Sequence, residues 1–396
     1  MHVLIISNLF PPEVIGGAEK HAKSDAKYLA DRGHKVSVIS TGVDSPIRRF
    51  SSQETEGMTI YRIRPFNMYS PYEHQDEPNW KKPIQHTIDQ WNPQTYTIIR
   101  KHINNLDPDV IHIHNYSGLS KSVFSASNVS SAPVIHTLHD YNSLHLRPSL
   151  FSNGEIITPG RLMKFYQKYN DWVIGSNIDK VIAPSQFIID EHHKQGVFTD
   201  VPSERIPLGI DTTELKQYKA KNYDQCNTRL LYAGQLTYSK GIDILIDAMK
   251  QLDDPDLELH ILGKGPDREM LEKRARNDKR VKFHGFVSEE ELARQYTIAD
   301  YTVVPSRWYD NSPMVIYESY ARQTPVIGAD IGGIPELIEE DETGYCFKPE
   351  QANILANVIE SHKGDSTRLA TNLTDVDVSL ETHIDRLVEV YESLKE

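Results

Sequence analysis

Two acidic residues, Asp310 and Glu318, flank a turn and an apolar run in the segment PSRWYDNSPMVIYESYARQTPVIG (305–328). The preceding residues YTVVPS predict a buried strand, and MVIYESYARQ (314–323) predicts the helix that follows it. Carboxylates just beyond a strand suit the binding of ligand hydroxyls, such as those of a ribose. We therefore expect Glu318, about one turn into the helix, and Asp310, in the turn, to contact two groups of hydroxyls. The alternative for Glu318 is an ordinary exposed position on a helix.

The start of the same helix is a candidate phosphate site. The first amides of a helix have no partner within the helix, so those of Met314 and Val315 can bind phosphate oxygens. Asn311, in the turn between the carboxylates, is a further candidate ligand-binding residue.

A second candidate lies in LLYAGQLTYSKGIDILIDA (230–248), where a predicted strand ends at Gly234. Lys240 precedes Gly241 at the start of the next predicted helix. A cation beside unpaired helix amides suits a phosphate or diphosphate. A solvated lysine in a capped loop is the alternative.

A glycine-containing loop follows the first predicted strand, in ISNLFPPEVIGGAEKHA (6–22). Gly16 and Gly17 open a helix, where glycine lets backbone amides come close to an anion. The spacing is not G-x-G-x-x-G, which argues against a dinucleotide site, and the same holds for GKGP (263–266). The alternative is a loop that needs positive φ angles.

Histidines cluster at two further strand ends. PVIHTLHDYNSL contains His136, His139 and Asp140, and IHIH places His112 and His114 on one face of a strand. A metal site needs three or four converging ligands, and no tight spacing completes such a set. We expect no bound metal and favour His139 as a polar group that faces a ligand.

The whole-chain composition indicates a globular protein of two domains. The chain has 396 residues, of which 38% are hydrophobic and 25% charged, too many residues for one ordinary core. The net charge of -13 disfavours nonspecific binding to nucleic acid. Cys226 and Cys346 have no C-x-x-C partner, which disfavours a disulfide framework or a zinc cage and fits a reducing compartment.

The hydropathy pattern favours neither a signal peptide nor a membrane-spanning segment. The apolar start of the chain is short and predicts a strand instead of a signal peptide, and no stretch approaches the roughly 18 apolar residues of a membrane span. We expect a cytoplasmic protein, with peripheral contact to the inner face of the membrane left open.

Short apolar runs alternate with amphipathic helical patterns along the chain, which predicts βαβ units and a parallel α/β sheet. The strands are expected near residues 3–7, 35–40, 59–64, 109–115, 133–140, 180–185, 229–234, 257–263, 281–287, 301–306 and 325–330. The polar stretch 212–228 reads as a linker. This predicts two doubly wound Rossmann-like domains, 1–211 and 212–379, facing each other across a cleft, with a helix at 380–396.

The order of these segments resembles the retaining, nucleotide-sugar-dependent glycosyltransferases of family 4, which have the GT-B fold. The segments are GGAE, DVIHIHN, TLHD, APS, PLGID, GQLTYSKGID, GFV, the acidic pair, PVIGADIGGIPELI and TGYCF. Their order and spacing are specific together, although each alone is not. The resemblance covers nearly the whole chain.

The resemblance implies a role for each matched residue. Glu318 would hold the donor ribose, Lys240 the diphosphate, and His139 would lie beside the transferred sugar. The amides of Met314 and Val315 would contact phosphate and sugar, and Gly17 would approach the phosphate from the first domain. The main chain at Phe286 and Val287 would bind the base, with Gln235 and Asn311 as further donor contacts. The helix over 380–396 would cross back onto the first domain.

The sequence departs from the family pattern at three positions. Asp310 replaces the usual glutamate, which puts contact with the donor sugar and the identity of that sugar in question. Gln235 replaces an arginine, which removes one cation from the diphosphate site. Pro313 replaces a glycine and lacks an amide donor.

The resemblance implies transfer of a hexose-type sugar from a nucleoside-diphosphate sugar to a hydroxyl acceptor, with retention, by Lys240, His139, Asp310 and Glu318. No metal or other cofactor is expected, and the base, the acceptor and the oligomeric state stay open. The alternatives are a sugar phosphorylase, epimerase or hydrolase on the same fold, or a noncatalytic nucleotide-sugar-binding subunit.

The acceptor is expected to contact the N-terminal domain. The segment 66–95 carries Tyr69, Tyr72, Trp80 and Trp91, whose rings stack on sugars or pack within their own loop. The segment RLMKFYQKYNDWVIG (161–175) is basic and aromatic, and we favour a core-facing helix over one that touches a membrane.

Overall fold

The computed structural model describes residues 1–42, 50–73, 77–78, 80–152, 154–212 and 227–395. Most of the predicted linker, with Cys226, lies outside these residues. The strands are β1 (His2–Ile6), β2 (Lys35–Thr41), β3 (Phe50–Thr55), β4 (Met58–Ile63), β5 (Val110–Ile113), β6 (Val134–Thr137), β7 (Phe151–Ser152), β8 (Glu155–Ile156), β9 (Lys180–Ala183), β10 (Ser203–Arg205), β11 (Thr228–Ala233), β12 (Leu257–Leu262), β13 (Val281–Gly285), β14 (Tyr301–Val304), β15 (Val326–Ala329) and β16 (Gly344–Phe347).

Helices connect most of the strands. They are α1 (Gly17–Asp31), α2 (Lys81–Gln90), α3 (Pro93–Leu106), α4 (Ser122–Ser127), α5 (Arg161–Asn170), α6 (Gln186–Lys194), α7 (Ile242–Met249), α8 (Arg268–Ala275), α9 (Glu289–Ile298), α10 (Met314–Tyr320), α11 (Ala352–His362), α12 (Ser366–Asn372) and α13 (Leu380–Ser393). Helix α10 is shorter than predicted, and Gln323 beyond its end has a positive φ of 56°. No helix of the described chain combines the length and hydropathy needed to cross a bilayer.

The chain divides into two compact units. Unit 1 contains Met1–Pro148, Pro159–Pro207 and Leu380–Glu396, and unit 2 contains Ser149–Thr158 and Leu208–Ser379. The β7–β8 hairpin, which the sequence assigns to the first domain, belongs to unit 2. There the ring of Phe151 lies 6.4 Å from that of Tyr238, between ring centroids.

The sheet of unit 1 has the strand order β10-β9-β6-β5-β1-β2-β4-β3. Its strand pairs are parallel except β3–β4, which corrects the prediction of a purely parallel sheet. Glu56 and Gly57 join β3 to β4 with φ angles of 48° and 75°, as in a two-residue hairpin turn. Strand β3 is polar and largely exposed, so it has no apolar run by which it could be predicted.

The sheet of unit 2 has the order β13-β12-β11-β14-β15-β16, with all neighbours parallel. This is the strand order of a doubly wound dinucleotide-type sheet. Strand β16, which contains Cys346, forms one edge.

Helix α13 belongs to the core of unit 1. Its buried side chains pack with those of β1, β2 and α1, and they are Leu380, Ile384, Leu387, Val390 and Tyr391. Each fully buried aliphatic side chain contributes about 1.5–3 kcal/mol to folding. The chain therefore returns to unit 1 and is fixed there.

The core-facing prediction for 161–175 is wrong for the apolar side chains of helix α5. Leu162 and Phe165 are 79% and 76% exposed, and Trp172, just beyond the helix, is 68% exposed. The buried face carries Gln167 and Asn170, whose amides donate to the carbonyls of Leu144 and Ser143 at 3.1 and 2.7 Å. Satisfied amides replace apolar packing on this face of α5, whereas Val173 and Ile174, beyond the end of the helix, are buried.

Candidate functional site

Each sheet reverses its strand order at one point, and ligands of doubly wound sheets bind beyond the carboxyl ends of the strands at such a point. In unit 1 the reversal lies between β1 and β5, and in unit 2 it lies between β11 and β14. Lys240 and Asp310 follow β11 and β14, and Gly17 and His114 follow β1 and β5. These residues therefore fall at the reversal points, whereas His139 follows β6 and Phe286 follows β13.

Lys240 and Asp310 form an ion pair in unit 2. Lys240 Nζ lies 2.5 Å from Asp310 Oδ2, and their side chains are 25% and 12% exposed. The hydroxyl of Ser306 also donates to Asp310 Oδ2, at 3.3 Å. The ammonium lies 4.9 Å from the ring centroid of Trp308. The cation is thus held in one place by a carboxylate and a ring face.

Arg307 holds the lysine loop in position, a role that the sequence analysis missed. Its guanidinium makes a two-pronged contact with Asp243, with N–O distances of 2.5 and 2.8 Å, and also donates to the carbonyl of Tyr238 at 2.9 Å. The guanidinium carbon Cζ of Arg307 lies 4.1 Å from the ring centroid of Tyr238. The sequence indicates this contact only weakly, because Arg307 follows a strand and Asp243 lies in a helix far away in the chain.

Two glycines allow backbone segments to meet at this site. A Cβ on Gly241, which has a φ of 69°, would lie 1.9 Å from the carbonyl oxygen of Pro305. A Cβ on Gly332 would lie 2.5 Å from the carbonyl oxygen of Asp310, which also accepts the amide of Gly333 at 2.8 Å. The loops after β11, β14 and β15 therefore touch through their backbones.

Glu318 is half-buried and bonded, so its alternative as an ordinary exposed residue is wrong. Its Oε2 accepts the hydroxyl of Tyr296 at 2.8 Å. Burial, and then the neighbouring carboxylate, raise the pKa of Tyr296 well above its usual value, which keeps this hydroxyl a donor. The bond fixes the orientation of the carboxylate.

The other unit 2 candidates lie on the same loops. Met314 and Val315 begin α10 after Pro313, and Asn311 is buried in the preceding turn. Gln235 is exposed, and its carbonyl accepts the hydroxyl of Tyr232 at 2.8 Å. Phe286 is 78% exposed beyond β13, with Val287 beside it half-buried.

In unit 1, the backbone conformation at Gly16 and Gly17 does not require glycine. Gly16 is extended, with a φ of -145°, and Gly17 is the first residue of α1. The alternative of a positive φ is therefore wrong here. A Cβ on Gly16 would meet only Glu19 Oε2, at 3.8 Å. The fold tolerates a side chain at Gly16, which leaves close approach of a ligand as a reason for glycine.

The glycines of GKGP have a structural cause. Gly263 has a φ of 131°, and a Cβ there would lie 1.8 Å from the carbonyl oxygen of Gly234. A Cβ on Gly265 would lie 2.2 Å from the carbonyl oxygen of Leu236. Close packing of two loops therefore explains this motif.

His139 pairs with His114, with 3.0 Å between His139 Nε2 and His114 Nδ1. Burial holds the pKa of both imidazoles well below the usual value, so both are neutral at pH 7. Both rings line a recess with Asp140, Asn142 and Ser143. Burial raises the pKa of Asp140 to about 6, although a hydrogen bond from the backbone amide of Asn142 acts in the opposite direction and lowers this pKa.

The remaining strand histidines have structural partners. His136 Nδ1 donates to the carbonyl of Ile113 at 2.9 Å. His112 contacts the hydroxyls of Tyr391 and Thr137, both at 2.6 Å. Neither side chain converges with His139 and Asp140 as a ligand set.

Comparison with known proteins agrees with this geometry. Residues 15–214 match the family described as Glycosyltransferase Family 4, and residues 215–373 match Glycosyl transferases group 1. An uncharacterized glycosyltransferase of Methanocaldococcus jannaschii is 24% identical over 365 residues, which cover 90% of this chain and 87% of that protein.

Solved structures show the same fold. Sucrose-phosphate synthase from Thermosynechococcus elongatus superposes with a TM-score of 0.74 at 21% identity, covering 99% of this chain and 98% of that one. HepE of Anabaena, solved in complex with UDP, gives 0.69 at 18% identity, covering 99% and 100%. The solved structures place the two units in the GT-B fold class. The family model matches more than half of the residues, and the chain therefore belongs to glycosyltransferase family 4.

Proposed function

We propose that the protein is a retaining glycosyltransferase that moves a hexose-type sugar from a nucleoside-diphosphate sugar to a hydroxyl acceptor. The observation that carries this proposal is the Lys240–Asp310 pair at the reversal point of unit 2. A cation beside a carboxylate and a helix start offers one group for a diphosphate and one for sugar hydroxyls. The structure of HepE with UDP-glucose supports a uridine diphosphate sugar as the first donor to test.

The proposed donor contacts combine the loops of unit 2 with the roles that the resemblance implies. We assign Lys240 and the amides of Met314 and Val315 to the charge that develops on the diphosphate. The amide of Gly17, in unit 1, is assigned to the phosphate by the resemblance alone. Glu318, oriented by Tyr296, accepts from the ribose hydroxyls. Asn311 and the side chain of Gln235 add polar contacts, and the main chain at Phe286 and Val287 holds the base.

The transfer step needs no covalent enzyme intermediate. The bond between the anomeric carbon and the diphosphate oxygen breaks as the acceptor oxygen bonds to the same face of that carbon. The acceptor proton moves to the departing phosphate oxygen. Asp310 is the unit 2 carboxylate that we assign to the hydroxyls of the transferred sugar. His139, which burial keeps neutral, is the unit 1 side chain to which the resemblance gives a sugar contact. In this scheme no metal ion takes part.

Donor melting shifts and product analysis test the proposal. Purified protein is screened with UDP-glucose, UDP-galactose, GDP-mannose and ADP-glucose, since a donor that binds the folded state raises the melting temperature. We expect one donor class to raise it and to yield a glycoside whose anomeric configuration, by NMR, matches that of the donor. Release of free sugar or sugar phosphate alone indicates a hydrolase or phosphorylase. Donor binding without turnover on any acceptor indicates a noncatalytic subunit.

We further propose that the acceptor is presented at a membrane surface that α5 contacts. Leu162 and Phe165 of α5, with Trp172 just beyond its end, are exposed apolar side chains. Arg161, Lys164 and Lys168 of α5 are also exposed. Apolar side chains beside basic ones suit the interface of a bilayer with anionic lipid.

Vesicle co-sedimentation tests this contact. We expect binding to vesicles with anionic lipid that falls with salt and is lost in a Leu162→Ser, Phe165→Ser double variant. Val129→Ser, at a position that is 42% exposed elsewhere on unit 1, is the matched control. Equal binding by the double variant, or none by the unchanged protein, contradicts the proposal.

A further inference from the structure

A second group of titratable side chains lies inside unit 1, between α1 and α13. His21 and Asp25 are one helical turn apart on α1, and His383 projects from α13. Their side chains are only 3%, 1% and 3% exposed. His21 Nδ1 lies 3.2 Å from Asp25 Oδ2, and His383 Nε2 lies 3.4 Å from Asp25 Oδ1.

The tautomer of His383 is fixed by its other nitrogen. Nδ1 lies 2.7 Å from the carbonyl oxygen of Pro207. A carbonyl can only accept, so Nδ1 carries the proton and Nε2 of the neutral ring has a lone pair. That lone pair faces a buried carboxylate, an arrangement of two acceptors that needs a cation between them.

The neighbouring atoms are also unsatisfied. Among the described residues, both nitrogens of His21, both oxygens of Asp25 and Nε2 of His114 are buried without a hydrogen-bond partner. His114 Nε2 lies 3.9 Å from Asp25 Oδ2, on the side of the ring away from His139. A proton on His383 would supply a bond to Asp25 and leave Nε2 of His21 without a partner. A metal ion would bind one lone pair from each of His21, Asp25 and His383 at once.

We propose that His21, Asp25 and His383 bind a transition metal ion, with Zn²⁺ favoured. The three ligand atoms lie within 4.8 Å of one another. Zinc bonds of about 2.0–2.1 Å in a tetrahedron place neighbouring ligand atoms roughly 3.3 Å apart. The two imidazoles lie at 3.2 and 3.4 Å from different oxygens of Asp25, His21 from Oδ2 and His383 from Oδ1. His114 Nε2 is the nearest atom for the fourth position.

The surroundings fit a structural site. The carbonyl of Pro207 orients His383 as outer-sphere partners of zinc-binding histidines do. The ligands come from α1 and α13, so the ion would fasten the end of the chain to the first helix of unit 1. The sequence analysis expected no metal on the basis of other residues, among them the strand histidines, and did not consider these three together.

Metal analysis of the full chain, prepared without a polyhistidine tag or chelators, tests the proposal. We expect close to one zinc per chain, with a melting temperature that falls on chelation and recovers with Zn²⁺. Co²⁺ reconstitution is expected to give the visible bands of a four-coordinate site. His383→Gln and Asp25→Asn are expected to lose the metal, while His193→Gln keeps it.

A wild-type chain without stoichiometric metal, whose melting temperature Zn²⁺ does not change, overturns the proposal and leaves a protonated His383 paired with Asp25. Zinc that persists in both ligand variants overturns the assignment of ligands. If the variants do not fold, the wild-type titration with Zn²⁺ and Co²⁺ decides alone.

Discussion

Lys240 and Asp310, 70 positions apart in sequence, are joined by an ion pair of 2.5 Å. The resemblance gives these residues different parts of a donor, the diphosphate and the sugar. In the structure each neutralises the other. If Lys240 binds the donor diphosphate as proposed, the diphosphate must compete with Asp310 for the ammonium, and the carboxylate is then available to the sugar hydroxyls.

Lys240→Ala is expected to lower turnover on the order of 100-fold or more, because the charge that develops on the leaving diphosphate loses its cation. The rate at saturating donor, with melting temperature as the folding check, measures this. Lys250→Ala, which removes an exposed lysine 3.0 Å from Asp247, is the control. Unchanged turnover in the folded variant removes Lys240 from the mechanism.

Glu318→Gln is expected to raise KM for the donor roughly tenfold, because hydrogen bonds to a charged acceptor are stronger than those to a neutral one. The melting temperature should change little, since glutamine can still accept from Tyr296. A 2′-deoxyribose donor provides the matched measurement. If the variant still discriminates against that donor as strongly as wild type, Glu318 does not bind the ribose.

Arg307→Lys is expected to lower the free energy of unfolding by about 1–3 kcal/mol, since lysine cannot make the two-pronged bond to the buried Asp243. Turnover should fall as well, because the loop that carries Lys240 loses the contacts of Arg307 that hold it in position. Denaturant unfolding and steady-state kinetics measure the two effects. Arg274→Lys, at an exposed pair with Asp247, is the control. Wild-type stability and turnover together would contradict the positioning role.

Gly241→Ala is expected to disrupt the lysine loop. The added Cβ would lie 1.9 Å from the carbonyl oxygen of Pro305, at a φ of 69° that alanine disfavours. We expect a lower melting temperature and a loss of donor-induced stabilisation. Gly364→Ala is the control, since a Cβ there meets nothing within 4 Å. A variant as stable and as responsive to donor as wild type would show that the two loops separate easily.

His192 is expected to contribute to acid unfolding. Burial lowers its pKa to about 4 from the usual 6.5, so the unfolded chain binds a proton there before the folded chain does. The stabilisation is present above pH 6.5 and is lost as the pH falls toward 4, by about 3 kcal/mol at most. His192→Asn, whose amide can replace the donor to Ile188, should flatten the unfolding free energy over this window. His193→Asn is the control, and an unchanged pH slope in His192→Asn would contradict the assignment.

Eleven of the strands could be predicted from sequence because each is a short run rich in apolar residues, whereas β7, β8, β10 and β16 lie outside the predicted ranges. The runs before His139, Lys240 and Asp310 locate the strand ends, and with them the polar side chains at one edge of each sheet. This pattern is local, so it survives without knowledge of the fold. Strand β3 was not predicted because it is polar and largely exposed. The exposed apolar face of α5 was not predicted because exposure depends on which neighbouring elements cover a helix.

The amino-acid sequence by itself determined the alternating α/β plan, the family, and the residues that follow each strand. The tertiary structure decided which of them meet: Lys240 with Asp310, Glu318 with Tyr296, Arg307 with Asp243, and His383 with Asp25. The physical reason is the separation in sequence of the residues that take part in each interaction. Hydrophobic periodicity and helix starts are set by residues a few positions apart, whereas ion pairs and converging ligands form between segments that only folding brings within a few ångströms.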